Sequence, residues 1–222
     1  MVFSNNVLLG AASAAAAVPI DSTLAFTASA VNSGSQSSYT FSSQAIGTAS
    51  SDRVVVVGVT AGNSPADVSS MTIGGVGATH AVSRTNSTET EIWYATVPTG
   101  TTASVVVNFS GGKGRCGIGV WALTGVSGVG ATNSSTSSTS TLTVSGNEKD
   151  IVIVMWGGKD NSSVSMSGVT ENFDRDISGA GSQYMAGGSK KLTSSGSNAI
   201  TVTPNAGATE VASVSAVFQL AT

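Results

Sequence analysis

The sequence predicts an all-β protein: a jelly-roll or Ig-like β-sandwich built from two related halves and preceded by an extended N-terminal arm. Three observations carry this reading. From Tyr39 onward the chain is a succession of short β-branched runs broken by Gly, Ser, Asn and Thr at the spacing of strands and turns. No segment after residue 35 keeps an apolar 3.6-residue period long enough for a helix. The runs also recur, in the same order, in the second half of the chain.

The first set of predicted strands is Tyr39–Ile46, Arg53–Thr60, Met71–Gly75, Thr79–Arg84, Glu91–Val97, Ser104–Ser110 and Cys116–Leu123. The second is Thr141–Ser145, Asp150–Gly157, Val164–Val169, Tyr184–Leu192, Ala199–Thr203 and Val211–Leu220. Ser51–Gly58 aligns with Lys149–Trp156, which sets Asp52 against Asp150. Ser69–Val76 echoes Ser162–Val169, and Ser104–Asn108 followed by Val120–Leu123 echoes Asn198–Thr203 followed by Val217–Leu220. The halves therefore span about 36–126 and 136–222, with a Ser/Thr-rich connector, Ser127–Ser140, between them. Val54–Val57 and Ile151–Trp156 are apolar at consecutive positions, so both faces of these strands should be covered. Two small sandwiches and one larger shared one both fit; a single compact body over 36–222 accommodates the covered faces best.

Residues 1–35 read as an anchoring arm. The start is apolar and alanine-rich, but with no Lys or Arg before Arg53 it lacks the positive region of a secretory signal. Ser4, Asn5, Asn6 and Ser13 interrupt it before a membrane-spanning run accumulates. Val2, Phe3, Val7, Leu8, Leu9, Val18, Ile20, Leu24 and Phe26 are the apolar positions it would bury against a neighbour.

Composition narrows the function. Only 9% of the 222 residues are charged while 40% are hydrophobic, so a core can form beneath a surface of hydroxyls, amides and small side chains. The net charge of −3, with no basic run beyond Lys190-Lys191, argues against a nucleic-acid partner. One cysteine, Cys116, and one histidine, His80, leave no disulfide framework, zinc site or triad to build, and no cofactor or metal is expected. Cys116 lies on an apolar strand and reads as a small buried hydrophobe; His80 reads as a hydrogen-bonded surface or interface residue. Asp52 and Asp150 resemble paired acids, but a polar residue opening a strand explains each. Lys159-Asp160-Asn161 and Asp174-Arg175-Asp176 offer oxygens without a calcium-loop pattern. No catalytic residue is assigned. Tyr184 and Phe173 are the aromatics that would meet a glycan if the chain binds one.

The strings Ser51–Val57, Met71–Thr79, Ile92–Thr102 and Arg115–Val120 resemble β-rich virion proteins of tailed bacteriophages. The resemblance covers residues 50–125 and reaches the second half through the internal repeat. It implies a non-enzymatic structural protein on the particle: a capsid decoration or cement protein, or a neck, tail or fibre component. Its expected partners are its own copies, as a homo-oligomer such as a trimer, and the major capsid protein or tail and neck proteins. The alternative is a receptor-binding or carbohydrate-binding adhesin module.

Overall fold

The computed structural model describes residues 21–62, 66–160, 163–178, 182–205 and 207–222. The described chain is all-β. The first half contains β1 (Thr23–Asn32), β2 (Gln36–Ala45), β3 (Val54–Gly62), β4 (Val68–Ile73), β5 (Val76–Gly77), β6 (Thr79–Asn86), β7 (Thr88–Thr96), β8 (Thr102–Lys113) and β9 (Arg115–Thr124). The second contains β10 (Val126–Ser135), β11 (Ser140–Gly146), β12 (Ile151–Lys159), β13 (Val164–Ser167), β14 (Thr170–Asp176), β15 (Gln183–Lys191), β16 (Gly196–Pro204) and β17 (Thr209–Leu220).

These strands form four sheets, and the two halves have one topology. The five-stranded sheet β1-β9-β3-β7-β6 has its counterpart in β10-β17-β12-β15-β14. The smaller sheet β2-β8-β4-β5 has its counterpart in β11-β16-β13, the short β5 being the one addition. Each half is a two-sheet sandwich, and the two five-stranded sheets stack against each other in the middle.

Three apolar layers hold the four sheets. Val55, Val57, Val59, Ile118 and Trp93 pack with Tyr39, Val105 and Val107 inside the first sandwich. Val152, Val154 and Trp156 pack with Leu142, Ile200 and Val202 inside the second. Between the inner sheets lie Val54, Val56, Trp121 and Leu123 from one side, with Ile151, Ile153, Met155 and Phe218 from the other. This is why β3 and β12 are apolar at successive positions: each inner sheet is covered on both faces. β3 and β12 run alongside in the same direction, Gly58 lying against Met155 and Gly157 against Thr60.

The layers fix the register of the repeat. Val54 and Ile151 both face the middle layer, while Val55 and Val152 each face their own sandwich. Val54 therefore corresponds to Ile151, and Arg53 to Asp150. Backbone bonds agree: Val97 N donates to Arg53 O at 3.1 Å as Leu192 N donates to Asp150 O at 2.8 Å. Arg53 N donates to Ser50 O as Asp150 N donates to Asn147 O, both at 3.1 Å. Setting Asp52 against Asp150 is thus one residue out. Such a slip turns every matched side chain to the opposite face.

Two boundaries also move. Residues 23–32 of the expected arm are strand β1, paired along its length with β9. Leu24 and Phe26 are not anchors reaching outward; they pack into the middle layer, Phe26 stacking on Phe173 at 5.4 Å and tilted on Trp121 at 5.7 Å. The expected connector is largely β10, paired with β17. Small and polar side chains suffice at β1 and β10 because each is the edge strand of an inner sheet. Val2, Phe3, Val7, Leu8, Leu9, Val18 and Ile20 lie outside the described residues.

Candidate functional site

A concavity lies at one end of the second sandwich. There the β11–β12 turn, the start of β16 and the end of β17 enclose a groove of about 340 Å³. Ser145, Asn147, Asp150, Gly196, Ser197 and Gln219 line it. A second groove of about 250 Å³ continues from Asn147, Asp150 and Gln219 past Glu148. Asp150 is 2% exposed and is held from two sides: Leu220 N donates to its Oδ1 and Asn147 N to its Oδ2, both at 2.8 Å. Lys149, with φ of 71°, turns the chain here, and the Ser22 hydroxyl donates to its carbonyl.

A second cluster is buried at the opposite end of the first sandwich. Glu89, Glu91 and Trp93 alternate along β7, so all three point into the sandwich rather than outward. Glu89 is 1% and Glu91 2% exposed. Val68 N donates to Glu91 Oε1 at 3.2 Å, and the Trp93 indole N–H donates to Oε2 at 2.5 Å. His80 Nε2 stands 3.5 Å from Oε2, with its ring edge-on to Trp93 at 5.0 Å. The Thr85 hydroxyl donates to Glu89 Oε2 at 2.7 Å, and buried Lys113 faces the pair from β8. Burial, followed by the neighbouring Glu89 carboxyl, pushes Glu91 up to about 8. Burial likewise raises Glu89 and depresses His80 and Lys113. Near neutral pH the Glu91 carboxyl keeps its proton and hydrogen-bonds Glu89. Neither Glu89 nor Glu91 lines the grooves described above.

No protein-family model, curated protein or solved structure matches this chain.

The remaining residues singled out by the sequence fall as follows. Asp52 accepts from Gly125 N at 2.8 Å and from the Ser50 hydroxyl, and these bonds hold its carboxyl below the usual range. Asp52 and Asp150 thus close separate strand ends. Asp174, Arg175 and Asp176 lie on β14: Asp174 accepts from Val164 N at 2.8 Å, and Arg175 reaches Ser29 O at 2.8 Å. Lys159 pairs with Glu210 at 2.6 Å and Asp160 accepts from the Thr209 hydroxyl at 2.6 Å; Asn161 lies outside the described residues. Among the described residues no group of three or more His, Cys, Asp or Glu side chains is arranged to hold a metal ion. Cys116 is fully buried, which raises its thiol pKa.

The aromatic pair is corrected in part. Phe173 is 8% exposed and sits between the inner sheets, where a Cβ on Gly119 or on Gly187 would come within 2.4 Å of its ring. It has no face for a sugar. Tyr184 is half-buried against the core of the second sandwich. The groove and the buried acid pair were not legible as sites, because β11, β16 and β17 meet only in the folded chain. The one available signal was the alternation of Glu89, Glu91 and Trp93, two acids on the apolar face of a strand.

Proposed function

We propose that the chain is a non-enzymatic structural protein of a tailed-phage virion, a capsid decoration protein that joins the particle as a homo-oligomer such as a trimer. The observation that carries this reading is the charge distribution on the two outer sheets. Across β2, β4, β5, β8, β11, β13 and β16 the sole charged residue is Lys113, which is buried. Their outward faces are hydroxyl and amide arrays. In the first, the Ser38 hydroxyl donates to Asn108 Oδ1 at 2.6 Å and Asn108 Nδ2 to Ser70 Oγ at 3.1 Å. In the second, Thr141 and Thr201 pair at 3.5 Å beside exposed Thr143, Thr203, Ser165 and Ser167.

Such faces suit contact with protein. Burying an ion costs several kcal/mol unless it is paired, whereas a hydroxyl can rotate onto whichever donor or acceptor a partner offers. Interface cores are depleted in charge for the same reason. The resemblance of the strand and turn strings to phage virion proteins supports the same assignment. Residues 1–20, apolar and cation-free, supply the segment that would reach a neighbour.

Incorporation into particles in a complementation assay tests the proposal. Thr40→Lys with Thr201→Lys, and separately deletion of residues 1–20, should leave a folded protein that no longer joins the particle. Normal incorporation of both variants would overturn it.

A further inference from the structure

The two halves close the same end of their sandwiches in different ways. In the first, Arg53 is fully buried and fills the end with its guanidinium. Nε donates to Val97 O at 2.8 Å, Nη1 to Gly47 O and Gly100 O at 2.9 Å each, and Nη2 to Thr99 O at 2.7 Å. These carbonyls belong to the β2–β3 and β7–β8 turns. In the second half the corresponding position is Asp150, and the corresponding turns, β11–β12 and β15–β16, flank the 340 Å³ groove. At this strand position the long cation of the first half is replaced by a short anion, whose carboxylate accepts from Leu220 N as Asp52 accepts from the corresponding Gly125 N, and the groove lies beside it.

We propose that this groove receives a guanidinium group from outside the chain, at the end of the sandwich that Arg53 closes in the twin. Asp150 sits at its base with one backbone N–H on each carboxylate oxygen, which leaves a second acceptor position on each. That suits the two-pronged fork of a guanidinium better than the point charge of an ammonium. Ser145, Ser197 and Gln219 also line the groove, residue types that carry neutral acceptors of the kind that loop carbonyls supply to Arg53. One corresponding carbonyl is engaged internally: Leu192 O, the counterpart of Val97 O, accepts from Lys149 N at 2.8 Å. The charge falls therefore to Asp150 and to Glu148 in the adjoining groove; neither groove is lined by Lys or Arg. The volume is within the roughly 300–1,000 Å³ of small-molecule sites.

The test is a titration of the full ¹⁵N-labelled chain with N-acetyl-L-argininamide, following the amides of Asn147, Gly196, Ser197 and Gln219. Saturable shifts confined to these are expected. The neutral isostere N-acetyl-L-citrullinamide should bind at least about tenfold more weakly, since it lacks the charge that Asp150 recognises. Agmatine distinguishes the sources: a response equal to the blocked arginine assigns a small guanidino compound, and a much weaker one assigns an arginine of a protein chain. Asp150→Asn should lose binding. Because Asp150 also ties down the turn, Ser197→Tyr, a change at an exposed position that blocks the groove, is the second arm and should lose it as well. Absence of shifts in these amides, equal binding of the citrulline isostere, or undiminished binding by Ser197→Tyr would each overturn the assignment. All these outcomes are independent of particle incorporation.

Discussion

Glu91 and Trp93, two residues apart on β7, are joined by a 2.5 Å hydrogen bond from the indole N–H to Oε2 inside the first sandwich. That bond places a carboxyl where water cannot reach it, and its neighbours are Glu89, His80 and Lys113. Its protonation is therefore part of the stability of the fold.

Between an ordinary glutamate value near 4.5 and the raised value of about 8, the folded protein holds a proton on Glu91 that the unfolded chain has released. Stability therefore falls as pH rises through this window, by at most about 1.4 kcal/mol per pH unit for one proton. His80, whose value is depressed, works in the opposite sense below its ordinary value of about 6.5. Urea unfolding at pH 5 and pH 8 should show the folded state weaker at the higher pH. The Glu91→Gln variant isolates the contribution: its stability should change less between the two pH values than the parent's. An equal change in both would mean that Glu91 is already ionised in the folded protein.

Arg53 bonds four carbonyls from two turns and the β7 end, at full burial. Arg53→Ala should destabilise the protein by about 3–5 kcal/mol, since it leaves buried acceptors without donors. Arg53→Lys should recover only part of this, because an ammonium cannot span the same fork. Chemical denaturation of the three proteins measures both effects.

Phe173 lies against Gly119 of one inner sheet and Gly187 of the other. Gly119→Ala forces a methyl into the ring and should cost about 1–3 kcal/mol as overpacking. Phe173→Leu relieves that contact, so the alanine should cost less in the Phe173→Leu background than in the parent. A double-mutant cycle on melting temperatures reads the coupling; simple additivity would place the ring elsewhere.

Cys116 is sealed in the first core, and burial raises its thiol pKa. A thiol reagent at pH 8 should label it only after denaturant is added, because the reactive species is the exposed thiolate. Stoichiometric labelling of the folded protein would contradict this placement.

The strands rich in Val, Ile and aromatic residues were legible from the sequence because burial demands those side chains: β3, β9, β12 and β17 carry their signal at nearly every position. β1 and β10 were not, being edge strands dominated by Ala, Ser, Thr and Gly whose place is fixed by pairing with β9 and β17. β14, Thr-Glu-Asn-Phe-Asp-Arg-Asp, reads as a charged loop, and one aromatic, Phe173, locks it to the middle layer. The groove was hidden by a single residue of register. Matching the two aspartates by identity conceals that Asp150 stands at the position of Arg53, which becomes visible once the faces of Val54 and Ile151 are known.

The middle layer carries a consequence for how this chain can be divided. Cut at Gly125, each piece would keep a complete topology yet bare one whole oily flank, Trp121 and Leu123 on one fragment and Ile153 and Phe218 on the other. Neither fragment would remain a lone soluble particle: each would seek its missing cover in another copy of itself or in the other fragment, so mixing the two should rebuild the uncut body.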